Sequence, residues 1–71
     1  MEPMKESVRN RVHEARTEAD ITQEDLSTKI GVSRQTIIAI EKGNYVPSVL
    51  LALKIAKVFR KPVEELFSIS S

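Results

Sequence analysis

Residues 22–43, TQEDLSTKIGVSRQTIIAIEKG, decide the fold. Thr22 is a good N-cap, and Gln23, Glu24 and Asp25 follow it into a first turn where acidic side chains suit the positive helix end. Asp25, three residues on, can complete a weak capping box. Leu26 and Ile30 are four apart and make one buried stripe. Gly31 supplies the turn after Ile30, where a left-handed backbone is needed. Ser33 then caps a second helix with Ile37 and Ile40 on its inner face, and Gly43 stops it. Two helices of this size cannot bury their own apolar stripes, so the rest of the chain reads as their scaffold.

Upstream, Val8, Val12, Ala15 and Ala19 recur at spacings of three and four, which predicts a helix over 7–19 behind a polar tail at about 1–6. Asp20 follows it, one of the few non-glycine types that accept a left-handed turn. Downstream, Asn44-Tyr45-Val46-Pro47 reads as a loop, and Ser48 caps a fourth helix running to about Arg60. Val49, Leu50, Leu51, Leu53, Ile55, Ala56, Val58 and Phe59 leave only Lys54 and Lys57 as clear solvent positions there. Such a helix is expected to be central and touched on several sides. Pro62 suits the first turn of a short last helix, with Val63, Leu66 and Phe67 inward. No strand-like alternation stands out. The expectation is a single all-α domain over 1–71, built from five helices.

The bulk properties agree with one small domain. The chain has 71 residues, 41% of them hydrophobic and 30% charged, and no cysteine, so helix packing must supply its stability. No apolar run reaches membrane-span length and no signal peptide is visible, which predicts a cytoplasmic protein with no membrane partner. The net charge is only +1, but it is unevenly spread. Residues 33–62 hold Arg34, Lys42, Lys54, Lys57, Arg60 and Lys61 against Glu41 alone. Residues 1–32 are net acidic, so the basic half starts with the second helix of the opening pair.

Catalysis finds little to work with. His13 is the single histidine and is expected on the outer side of a helix, where a solvated surface role outweighs that of a general base. With no cysteine and no second histidine, neither a metal nor another cofactor is expected, and no glycine-rich phosphate loop occurs. A non-enzymatic binding module follows. Projected at about 100° per residue, residues 33–42 put Ser33, Ile37 and Ile40 on one side. Gln35, Ile38, Ala39 and Lys42 point the other way, with Arg34 at the N-terminal end. Gln can bond bidentately to adenine and Arg to guanine, while small apolar groups meet thymine methyls. Ile38 follows Ile37, so both cannot be core. It is either a contact residue, a tolerated surface hydrophobe or an edge contact to the fourth helix.

With TQ opening the second helix, GVSRQTI through the turn, IEKG closing the third helix and a Tyr45-x-Pro47-Ser48 loop, the chain resembles the Xre-type, lambda-repressor-like (Cro-like) helix–turn–helix family. The resemblance runs from about Val8 to Phe67. It implies a five-helix DNA-binding domain, usually a homodimer on a two-fold operator in double-stranded DNA. By position it implies base reading for Arg34, Gln35 and Ala39, with Ile38 beside them. It implies phosphate contacts for Gln23, Ser33, Lys42, Asn44 and Tyr45, and a structural ion pair between Arg16 and Glu41. Ser27 stands where the family prefers alanine, Ala15 where leucine is common, and Asp20 and Arg60 where glycine is common. Those departures touch stability more than function.

The expected function is therefore sequence-specific DNA binding by a small, nucleoid-associated transcriptional regulator, a repressor for preference, with no small-molecule ligand. The alternative is an adaptor or antitoxin component that uses the Ile38 side for a protein partner. A dimer surface is expected at the C-terminal end, from Val63, Phe67 and Ile69, with Leu66 in the core. Lys54, Lys57, Arg60 and Lys61 either meet phosphates or form a solvated face.

Overall fold

The computed structural model describes residues 6–70, so of the tail expected at 1–6 only Glu6 lies within the described residues. Seven elements follow in order: β1 (Ser7–Asn10), α1 (Val12–Glu18), α2 (Gln23–Ile30), α3 (Arg34–Glu41), α4 (Val49–Phe59), α5 (Val63–Leu66) and β2 (Phe67–Ser70). The domain is mostly helical and has the five expected helices.

The all-α expectation needs one correction. β1 and β2 pair antiparallel, with Ser7 opposite Ser70, Val8 opposite Ile69, Arg9 opposite Ser68 and Asn10 opposite Phe67. The helix predicted over 7–19 accordingly starts at Val12; Val8 belongs to the ladder, and Ala19 is exposed in the turn after α1. Asn10 explains the late start. Its Nδ2 donates to the Ile40 carbonyl at 2.8 Å, and its Oδ1 accepts from the Val12 N–H at 3.2 Å. A side chain that satisfies the first-turn N–H in this way competes with further helix upstream. The Arg11 N–H is taken by the Leu66 carbonyl at 2.9 Å, which ties the chain's two ends together.

The helix starts follow the local chemistry. Thr22, Ser33 and Ser48 each accept a hydrogen bond from the backbone N–H three residues on, so one otherwise orphaned donor is satisfied at each start. Pro62 occupies the cap position of α5 itself, not its first turn. Four helices end alike, at Asp20, Gly31, Gly43 and Arg60, with φ of 58°, 76°, 80° and 56°. In each case the next residue's N–H reaches back across the last turn: Ile21 to Arg16, Val32 to Ser27, Asn44 to Ala39 and Lys61 to Ala56. Glycine does this at no steric cost, and the short polar side chain of Asp20 tolerates it. Arg60 has no such compensation and carries a strain of about 1 kcal/mol.

The core draws on every helix. Val12, Leu26, Ile37, Ile40, Ile55 and Leu66 are essentially fully buried, with Ala15, Ile30, Leu51 and Ala56 beside them. Ser27 is buried too, and its Oγ donates to the Glu24 carbonyl at 2.7 Å, so serine fills the place of a small apolar residue without an unsatisfied hydroxyl. α4 departs from expectation. Leu51, Ile55 and Ala56 face inward, with Val58 and Phe59 half-buried, but Val49, Leu50 and Leu53 are 76%, 65% and 51% exposed. The neighbouring short helices cover only one side of α4, so its burial is one-sided where the sequence pattern suits burial all round.

Candidate nucleic-acid interface

α3 is held from below and offered from above. Ile37 and Ile40 have no exposed surface, which fixes the helix on the core beside α2. Arg34 and Gln35 are exposed in its first turn, while Ile38 and Ala39 are half-buried one turn later. Ile38 stands apart from the half-buried apolar residues that pack on the core, which include Val32, Val58 and Phe59. Lys42, Asn44 and Tyr45 follow as an exposed run at the helix's end. Ser33 is exposed, but its Oγ is engaged as the α3 cap and lies 3.0 Å from the Thr36 hydroxyl. Arg34, Gln35, Ile38 and Ala39 thus occupy neighbouring positions of α3, and the exposed run Lys42, Asn44 and Tyr45 follows its last residue.

The far end of α3 is anchored by charge. Arg16 Nε donates to Glu41 Oε2 at 2.7 Å and Arg16 Nη2 to Glu41 Oε1 at 3.2 Å, a two-pronged pairing. Both side chains are largely withdrawn from water, at 12% and 6% exposure. Arg16 also donates through Nη1 to the Ile21 carbonyl at 3.0 Å, closing the turn between α1 and α2. Burial alone would raise the Glu41 carboxyl pKa. The hydrogen bonds from Arg16 and Gln23, the Arg16 charge and the His13 contact outweigh it and hold the pKa below the usual 4.5. In the chain's basic stretch, the one carboxylate is thus spent internally.

Gln23 joins that network. Its Nε2 donates to Glu41 Oε1 at 3.1 Å, so its amide is oriented from within the fold. An amide nitrogen has two hydrogens, which leaves one for an acceptor outside. Gln23, Thr22 and Glu24 line an open groove of about 480 Å³ with Arg16 and with Arg34 of α3, which places Gln23 and Arg34 on one concave surface. His13 is mostly exposed, but its Nδ1 lies 3.0 Å from Arg16 Nη2 and 3.3 Å from Glu41 Oε1. A second, larger hollow of about 620 Å³ mixes Arg9, Arg11 and Lys61 with Glu14, Glu18, Glu64 and Glu65, and none of its lining comes from α3.

Sequence reasoning missed the parts played by Gln23, His13 and Asn10 in holding α3. His13 sits three positions before Arg16 on one helix, a spacing that puts them side by side and could have flagged the pair. Nothing local marks the Gln23–Glu41 bond, because the two lie 18 residues apart. The C-terminal trio does not stay together as a surface. Val63 and Phe67 are half-buried against the core, and of the three only Ile69 is widely exposed, at 73%.

Comparison with known proteins agrees with this geometry. A helix–turn–helix family model matches residues 12–66, which takes in all five helices. An uncharacterised HTH-type transcriptional regulator of Methanocaldococcus jannaschii is 55% identical over 60 residues, covering 84% of this chain and 91% of that protein. YgzD of Bacillus subtilis, described in the same terms, is 52% identical over the same shares. The transcriptional repressor RstR of the cryptic phage CTXphi in Vibrio cholerae is 36% identical over 59 residues, and the match spans 53% of its length. A crystal structure of a Bacteroides fragilis protein superposes with a TM-score of 0.79, covering 86% of this chain and 98% of that one; at 23% identity it speaks for the fold alone. The chain belongs to the Xre-type, lambda-repressor-like helix–turn–helix family.

Proposed function

We propose that this protein is a sequence-specific regulator of transcription that binds double-stranded DNA and acts as a repressor, without catalysing a reaction. The observation that carries the reading is α3 itself: a helix locked inward by Ile37 and Ile40, with Arg34 and Gln35 exposed on its other side. A helix so mounted fits the major groove, where side chains from its first turns reach base edges. Gln35 is suited to an adenine and Arg34 to a guanine, with Ile38 and Ala39 against thymine methyls.

Gln23, Ser33, Lys42, Asn44 and Tyr45 border that surface and would set register by contacting phosphates, which carry no sequence information. Gln23 would do so with the amide hydrogen that Glu41 leaves unused. Lys54, Lys57, Arg60 and Lys61 are exposed and add positive potential that steers association. A single module of this size buries too little DNA for tight specific binding, so the working unit in this reading is a homodimer. Its two α3 helices would enter successive major grooves of a two-fold operator, about 34 Å apart. The setting would be the cytoplasm, on the nucleoid. RstR, a named repressor that shares the domain, supports the repressor reading over activation.

Selection of sites from a random DNA pool, followed by titration of the selected duplex against random duplex at rising salt, tests the proposal. A two-fold consensus whose advantage survives added salt is expected. No binding to either duplex at any salt would end the DNA reading and favour a protein-binding adaptor.

A further inference from the structure

The chain's single histidine reaches from α1 to the last residue of α3. Its side chain is 64% exposed, yet Nδ1 lies 3.0 Å from Arg16 Nη2 and 3.3 Å from Glu41 Oε1. Glu41 Oε1 is also the oxygen that accepts from Gln23 Nε2 at 3.1 Å. His13 and Gln23 therefore touch one and the same carboxylate oxygen, and their side chains are neighbours although they belong to different helices. Gln23 in turn shares its groove with Arg34 of α3. Among the described residues, no hydrogen bond uses the other ring nitrogen of His13, Nε2. The fold holds the ring at one edge and leaves a polar atom unused at the other.

We propose that His13 is a further phosphate-contacting residue of the DNA interface, set beside Gln23, whose contact strengthens when the imidazole takes up a proton. The inference rests on the DNA reading above and extends its backbone contacts onto α1. Imidazolium donates from both ring nitrogens. One can then face Glu41 and the other a phosphate oxygen, so that an anion accepts at each edge of the ring. The neutral ring carries a proton on one nitrogen only. Any bond it makes to phosphate lacks the charge, and charge-assisted hydrogen bonds are roughly twice as strong as neutral ones.

The groups around the ring suit this role. Glu41 comes from α3, and its pKa is held below the usual value of 4.5, so it stays ionised throughout the range in which a histidine side chain changes charge. Arg16, on the same helix as His13, opposes the proton, but its own charge is engaged by Glu41 through two hydrogen bonds. Glu14 is the next residue on α1 and is exposed. α2 brings the neutral Gln23 to the shared oxygen, with the exposed Glu24 one residue on. α4 also packs on α1, but among the described residues no carboxylate other than Glu41 forms an ion pair with the ring. DNA would add a second anion at the open edge. Phosphate binding and proton uptake would then reinforce each other.

Fluorescence anisotropy titrations of a selected duplex between about pH 5.5 and pH 8, at several salt concentrations, test the assignment with the wild type, His13→Gln and His13→Lys. Thermal melts at each pH check folding. The wild type should bind about threefold to fivefold more tightly at the acid end, the range of a good exposed ion pair. Its salt dependence should steepen there by about one unit for each domain bound. His13→Gln should lose both changes and stay near the wild type's alkaline affinity. His13→Lys, charged at every pH tested, should hold the wild type's acid-end affinity throughout. The amino terminus also titrates in this range, but it is common to all three proteins and cancels in the comparison. A histidine that only braced Arg16 and Glu41 would move the melting temperature and leave the affinity and salt slope of the folded protein unchanged. The same pH profile in the wild type and His13→Gln would overturn the assignment and leave the DNA reading standing. So would a His13→Lys that binds no better than His13→Gln. A wild type that binds no duplex at any pH or salt would overturn both.

Discussion

α3 and α4 are packed on the same core by the same kind of residue, Ile37 and Ile40 on one and Leu51 and Ile55 on the other, yet they offer opposite outer faces. α3 presents Arg34 and Gln35 with two half-buried apolar neighbours, and its last residue is fixed by Arg16 and Gln23. α4 presents Val49, Leu50 and Leu53, which are 76%, 65% and 51% exposed among the described residues. The inner faces make a fold and say little about partners; the outer faces differ in chemistry. A polar outer face on a rigid helix suits base edges, which need directional bonds. An apolar one suits a protein surface, where water exclusion supplies the attraction.

The comparison is broken most severely by attacking what fixes α3. Glu41→Ala would strand Arg16, only 12% exposed, without its partner. A loss of about 3–5 kcal/mol in urea or thermal unfolding is expected, a large share of a small domain's total stability. Acid acts on the same contact more gently. The pKa of Glu41 is lowered in the folded state, so its contribution is fully present above the usual carboxylate value of 4.5. It is lost as pH falls below that value and through the depressed folded pKa. Denaturation curves between pH 7 and pH 3 should show stability falling in that window. The fall should be shallower in Glu41→Gln, which has no charge there to lose.

The smallest expected effect sharpens the other helix. Arg60 ends α4 with φ 56°, a left-handed conformation that glycine adopts freely. Arg60→Gly should therefore raise stability, by about 0.5–1 kcal/mol once the greater freedom of glycine in the unfolded chain is offset. An unchanged or lower melting temperature would mean that Arg60 contributes a compensating contact.

The division between the helices was only partly legible in the sequence. The α2–α3 pair was, because its signals are local: Thr22 and Ser33 at the starts, Gly31 and Gly43 at the ends, and isoleucines at helical spacing between them. The outer face of α3 followed from the inner one by simple projection. The strands did not show. Phe67-Ser68-Ile69-Ser70 does alternate, but four residues alternate easily by chance, and their partner Ser7–Asn10 lies at the other end of the chain. Val8 suits a helix stripe as well as a ladder until that pairing is known. The face of α4 was misread for a different reason. Periodicity tells how much of a helix is apolar, not whether its own domain has enough chain to cover it. Gln23 was placed by resemblance, but its bond to Glu41 depends on how α2 and α3 cross, which no local pattern encodes.

The most direct test of the central claim, that the outer face of α3 reads sequence, is the affinity of Gln35→Ala for a selected duplex, its single-base-pair variants and random duplex, with Lys42→Ala alongside. A loss of roughly 1–3 kcal/mol of discrimination is expected at one base pair of each half-site, with binding to random duplex unchanged. Lys42→Ala should instead weaken binding to every duplex and lower the salt dependence by about one unit. An equal loss by Gln35→Ala on selected and random duplex would contradict the account.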